Sequence, residues 1–261
     1  MLPATPKGVA VLFHKEILLN LIVCGTPWPH QAKGRGWERT MTSTRYLTLL
    51  GLVLVAFGAS AATASATTLC TVNVNPCPAG NRYPEKQNFN ASLVAGNVFT
   101  VQYGTVTVKC NESSLTSETQ KSEGVNARLL TEIGTWTLAN SGGACETAGG
   151  VKCTVNKWVN LPYKEAGVYA EGGGGNGSLK VEKNSAKLEL VCSGVKCVYN
   201  LLTLKLEFKG GGAGAARLVL NKATMGLSEL ESSEFCGKTA TLSAEYKVTT
   251  PATAVWVSES P

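Results

Sequence analysis

Residues 201–208 read LLTLKLEF, and this octapeptide decides the fold class. In an extended chain Leu202, Leu204, Leu206 and Phe208 fall on one side, and Thr203, Lys205 and Glu207 on the other. Successive side chains of a strand point to opposite faces, so the alternation describes a strand with one dry and one wet face. Further along, TLSAEYKVTT repeats it, with Leu242, Ala244, Tyr246 and Val248 directed inward.

Working outward, VFTVQYGTVTVKC, IGTWTL, CTVNKWVNL, SLKVEK, AKLELVC, ARLVLNK and TAVWVS are further candidates. Their Val, Thr, Tyr and Trp content suits a pleated, half-buried surface. Segment 113–127 is polar and non-periodic and reads as a long surface loop, with a short helix as the alternative. Some nine or ten strands separated by Gly, Pro and Asn turns predict a single all-β domain over residues 67–261. The expected architecture is an antiparallel β-sandwich, jelly-roll-like and stapled by disulfides.

The chain ahead of that domain has a different character. From Met41, Arg45 supplies a positive charge, residues 47–57 an apolar run, and Ala62-Thr63-Ala64 and Ala64-Ser65-Ala66 two small-residue cleavage sites. That is the pattern of a secretory signal peptide, over residues 41–66. The apolar run is shorter than the roughly 20 residues of a spanning helix. Residues 1–40, with His14, Lys15 and Glu16 breaking their apolar stretch, read as a disordered leader ahead of the true start, or as an extended n-region. Trp37-Glu38 can encode a GGAG ribosome-binding core just before Met41, which favours the later start.

Trimming changes the charge balance. The whole chain carries +6, but six of its basic and two of its acidic residues precede Thr67. What remains is 18 basic against 16 acidic residues, without the concentrated basic face that nucleic acid or an anionic membrane would require. Cys24 lies in the leader. The other eight cysteines are Cys70, Cys77, Cys110, Cys145, Cys153, Cys192, Cys197 and Cys236. An even count behind a signal peptide predicts four disulfides in an oxidising compartment. Zinc is the competing use of thiols, but no C-x-x-C pair is present. Eight cysteines allow 105 pairings. Local proximity favours Cys70–Cys77, Cys145–Cys153 and Cys192–Cys197, leaving Cys110–Cys236.

Two missing residue types exclude more chemistry than any motif suggests. Both histidines, His14 and His30, precede the predicted domain, and the sequence contains no aspartate. Ser-His-Asp and Cys-His catalysis, His-ligated metals and Asp-rich calcium loops are therefore excluded from it. No catalytic, cofactor-binding or metal-binding residue is predicted, and no cofactor. A glutamate pair cleaving glycans is the surviving enzyme alternative, since two carboxylates suffice.

Other features have plain readings. Gly210, Gly212 and Ala215 mimic a dinucleotide fingerprint, but Arg217–Lys222 alternates like a strand, so a flexible hairpin loop is expected. EGGGGNGS at 171–178 reads as a mobile loop that could carry binding. CSGVKC reads as a hairpin closed by a disulfide, with CETAGGVKC as a longer version. Trp136, Trp158 and Trp256 could form a sugar-stacking platform, but their strand contexts favour the core.

The motifs LC…NPCPAGN.YP from Leu69, CTVN…NLPY from Cys153 and FC…TATLSAEYKVT.P from Phe235 resemble one group. It comprises uncharacterised secreted, cysteine-containing, β-rich proteins of soil actinobacteria. The resemblance implies export and brings no reaction with it. The expected function is that of a secreted, extracellular structural or recognition domain. Its expected partner is a cell-wall or extracellular glycan or a surface protein, with no nucleic acid and no membrane span.

Overall fold

The computed structural model describes residues 66–260 apart from 126, 142, 149–152, 172, 183–185 and 202. The leader and signal peptide expected over residues 1–66 lie outside the described residues, save Ala66. Strand-forming residues dominate from Ala66 onward, and sixteen strands form among the described residues. They begin with β1 (Ala66–Cys70), β2 (Asn88–Leu93), β3 (Phe99–Tyr103), β4 (Val106–Cys110) and β5 (Glu112–Thr119). Then come β6 (Arg128–Ala139), β7 (Glu146–Ala148), β8 (Cys153–Val159), β9 (Tyr163–Ala170), β10 (Gly177–Val181) and β11 (Lys187–Cys192). The last are β12 (Val195–Asn200), β13 (Leu204–Lys209), β14 (Arg217–Leu227), β15 (Thr239–Thr250) and β16 (Trp256–Ser260). A single 3-10 turn, Ala79–Asn81, accompanies them, and no α-helix occurs among the described residues.

The all-β, antiparallel, disulfide-linked class is as expected, but the architecture is a closed barrel rather than a jelly-roll sandwich. Eight strands join in the ring β2-β5-β6-β9-β10-β13-β14-β15, and β15 returns to β2. Alternation identifies strands but not which edges meet, and here the edges meet each other, leaving none in the ring exposed.

β14 and β15 outrun the barrel. Arg217–Val219 pair with β13, whereas Gly226 and Leu227 pair with β12; Tyr246–Thr250 pair with β2, whereas Ala240–Ser243 pair with β3. Their far halves thereby become the centre of a second sheet, β7-β4-β3-β15-β14-β12-β11-β8. The divergence falls at a bulge between Leu220 and Ala223, where Lys222 takes φ 47°. An inserted residue bends a strand and sharpens its twist, which lets one strand serve two sheets.

One core runs through both parts. Leu204, Leu206 and Phe208 of the opening octapeptide are buried, as are Leu242, Ala244, Tyr246 and Val248. Trp136 of the barrel stacks on Trp158 of the second sheet, with ring centroids 4.3 Å apart, and its indole N–H donates to the Tyr246 hydroxyl at 2.9 Å. The β1–β16 ribbon closes the barrel's mouth. Leu69 of β1 reaches in among Phe89, Leu115, Val168, Phe208 and Val248, leaving a void of about 20 Å³. The hydroxyls of Thr67 and Thr68 bond the carbonyls of Ala127 and Ser122 and fasten the ribbon to the rim.

Segment 113–127, expected as a loop, instead supplies most of β5. Its outward hydroxyls pair across to β6, Ser114 with Thr137 and Thr116 with Thr135, both at 2.7 Å. Inward, Leu115 is buried and Ser113 bonds Tyr246. Cross-strand hydroxyl pairs can hold a sheet where apolar periodicity is absent.

The disulfides are four, as expected, but only one predicted pair forms. They are Cys70–Cys77, Cys110–Cys145, Cys153–Cys192 and Cys197–Cys236. CSGVKC is a hairpin, yet its two-residue turn (Ser193 and Gly194, both at positive φ) pairs Cys192 with Val195. Cys197 lies opposite Leu190, diagonal to Cys192 and at a separation of roughly 7–8 Å, too far to bridge. Cys192 finds Cys153 directly opposite it on β8 instead, which also removes Cys145–Cys153 and, with it, Cys110–Cys236. The tip of CETAGGVKC, residues 149–152, lies outside the described residues.

Candidate functional site

The two glycine-rich stretches meet on one strand. Gly175 and Gly210 both sit against the indole of Trp256, where an added Cβ would come within 2.4 and 2.6 Å of the ring atom Cε3. Only glycine allows the backbone that close. Val257 N–H donates to the Gly175 carbonyl at 2.9 Å, and Gly211 and Val255 exchange a pair of bonds at 3.0 Å. The Gly210 N–H donates to Asn176 Oδ1 at 3.1 Å. Loops expected to be flexible are thus sewn to β16, over an indole that acts as their footing.

Beside this seam lies a cleft of about 320 Å³. One wall is Gly173, Gly174, Gly175 and Asn176, and the glycines hold φ of 72°, 66° and 80° in succession. The opposite wall is Asn73, Val74 and Asn75, and Ser258 and Glu259 of β16 complete the lining together with Ala170 and Val257. Its second wall is braced as firmly as its first. Cys70–Cys77 spans that loop, the Glu259 N–H donates to Asn75 Oδ1 at 3.0 Å, and Ser258 Oγ donates to the Val74 carbonyl at 2.8 Å.

Some polar groups of the cleft have no partner among the described residues. The Asn73 side-chain amide and the Gly174 and Gly175 N–H groups make no hydrogen bond among the described residues. The one ionisable side chain in the lining is Glu259.

The other candidates have structural employment. Trp136 and Trp158 are each 4% exposed, so they are core, and the three tryptophans share no platform. Glu171, outside the cleft lining, lies among Lys205 Nζ at 2.8 Å, Lys180 Nζ at 3.0 Å and Ser178 Oγ at 2.7 Å. Partial burial opposes its charge, but bonds from Lys205, Ser178 and Lys180 outweigh that and hold its carboxyl at about 2. Such a carboxylate stays ionised, the reverse of what a general acid needs.

The eight cysteines contribute no thiol chemistry, since each is disulfide-bonded. Tyr103 donates its hydroxyl to Cys192 Sγ at 2.8 Å, and burial raises that phenol, keeping its proton in place. No group of three or more His, Cys, Asp or Glu side chains gathers as a metal cage among the described residues. Nor is any described helix long and apolar enough to cross a membrane.

The glycines of this site were visible in the sequence as loops, while Asn73 and Asn75 carried no signal, because β1–β16 pairing and bonds to Ser258 and Glu259, far along the chain, bring them beside the glycine loop. Comparison with protein-family models, curated proteins and solved structures finds no match to this chain.

Proposed function

We propose that the chain is an exported, non-catalytic domain that acts outside the cell in recognition or surface structure. The observation that carries this reading is the chemistry of the cleft. Glycoside hydrolysis, the enzyme alternative weighed from the composition, uses two carboxylates flanking a scissile bond. The cleft is lined by one, Glu259, whose carboxylate accepts a bond from Asn75 Nδ2 at 3.4 Å. The barrel interior is filled by side chains, as in small barrels that serve as scaffolds. Outward residues such as Lys205, Glu207 and Lys209 give β13 a wet face, unlike a lipid-facing strand.

Four disulfides fit export, because such bonds persist in oxidising compartments. The test is a hydrolase panel of polysaccharide, ester and peptide substrates with the purified chain from Thr67 onward. No turnover is expected. Reproducible hydrolysis abolished by a single Glu→Gln change would overturn the reading in favour of the enzyme.

A further inference from the structure

We infer that the cleft between the Gly173–Gly175 turn and the Asn73–Asn75 loop binds the end of a neutral saccharide chain. The inference rests on the recognition reading and names the ligand class of that same site.

The cleft is built before any ligand arrives. Its glycine wall is bonded to β16 through the Gly175 carbonyl and to the next loop through Asn176. Its asparagine wall is closed by Cys70–Cys77, by the bond Asn75 accepts from the Glu259 N–H and by the Ser258 hydroxyl on the Val74 carbonyl. Walls fixed in advance lose little freedom on binding.

The unspent groups define what fits. Asn73 offers a carboxamide whose donor and acceptor are unused among the described residues, and its Oδ1 lies 2.8 Å from where a Gly175 Cβ would stand. It therefore stands against the glycine turn, near the N–H groups of Gly174 and Gly175, which are likewise unused among the described residues. An amide that can donate and accept, next to backbone donors, matches neighbouring hydroxyls, each of which also donates and accepts.

Charge disfavours the alternatives. An anionic ligand would meet Glu259 with no cation in the lining, and a cationic one would find a single carboxylate, with Oε2 already accepting from Asn75 and no second acid beside it. At about 320 Å³ the space lies at the small end of ligand clefts, suiting a chain terminus rather than a long stretch.

Binding is measured by calorimetry with defined probes. These are cello-, xylo-, manno- and N-acetylchito-oligosaccharides, with oligogalacturonate and deacetylated chito-oligosaccharide as anionic and cationic comparisons. At least one neutral series should bind, more tightly than either charged probe. Asn73→Ala removes no internal bond, so its melting temperature should stay unchanged while affinity falls about tenfold, the loss of one or two hydrogen bonds. Val74→Trp, which places bulk at the mouth from an exposed position, should weaken binding at least as much.

Equal binding by Asn73→Ala, preference for a charged probe, or no binding of any neutral series overturns the inference and leaves the non-catalytic reading standing. Cleavage of the same probes would instead overturn that reading.

Discussion

The connectivity Cys70–Cys77, Cys110–Cys145, Cys153–Cys192, Cys197–Cys236 makes a graded prediction about stability. The bridges are strictly sequential, so their loops neither nest nor overlap. Each therefore restricts a separate part of the unfolded chain, and their contributions should add. The sequence separations are 7, 35, 39 and 39 residues. Chain-entropy estimates give about 2.5 kcal/mol for the first and about 4 kcal/mol for each of the others, together about 14 kcal/mol. A domain of this size has roughly 5–15 kcal/mol in all, so the fully reduced chain should not remain folded.

Urea titration followed by circular dichroism is the assay, on the oxidised protein and on paired Cys→Ala variants. Removing Cys70 and Cys77 should cost about 2.5 kcal/mol, and removing Cys110 with Cys145 or Cys197 with Cys236 about 4 kcal/mol each, the two nearly equal. A larger loss for the short bridge, or a reduced and alkylated chain with the native spectrum, would refute the additive loop argument.

Thr131 Oγ1 is buried without a hydrogen-bond partner among the described residues and lines the 20 Å³ void of the lumen. Thr131→Val should therefore stabilise the barrel by about 1 kcal/mol, and a loss of that size in a urea melt would show the hydroxyl to be satisfied. The Glu171 carboxyl sits below its ordinary range when folded, so the stability it contributes is full above its unfolded value and vanishes as pH falls from about 4.5 to 2. Its side chain is 36% exposed, and screening leaves an expected loss of about 1 kcal/mol, absent in Glu171→Gln when urea midpoints are compared across that window. Leu230 and Phe235 are 101% and 80% exposed, so replacing both with Ser should move the melting temperature by less than about 2 °C, and a larger fall would mean they are packed.

Where a strand has one dry and one wet face, as in β13 and β15, the sequence declared it. β5 was hidden because its outward partners are hydroxyls rather than apolar residues. β9 was hidden for another reason: Ala166, Gly167 and Val168 are buried in succession, Gly167 lying under the Arg128 side chain, so no period of two survives. Disulfide pairing depends on which strands become neighbours, and β8 lies beside β11 only after the chain has gone through the intervening barrel strands β9 and β10. The candidate cleft combines both cases, glycines that were legible as turns and asparagines whose role depends on a contact far away in sequence.

The sharing of β14 and β15 between barrel and second sheet has a consequence for how the protein can come apart. Had the sheets met only face to face, either could open while the other stayed intact. A strand common to both cannot let go of β13 at one end without loosening its hold on β12 at the other. The Trp136–Trp158 stack, bonded to Tyr246 of β15, ties the same two regions through side chains. Fluorescence from the barrel and protection of amides in the second sheet should therefore report one transition, because no seam exists along which half the molecule could unfold alone.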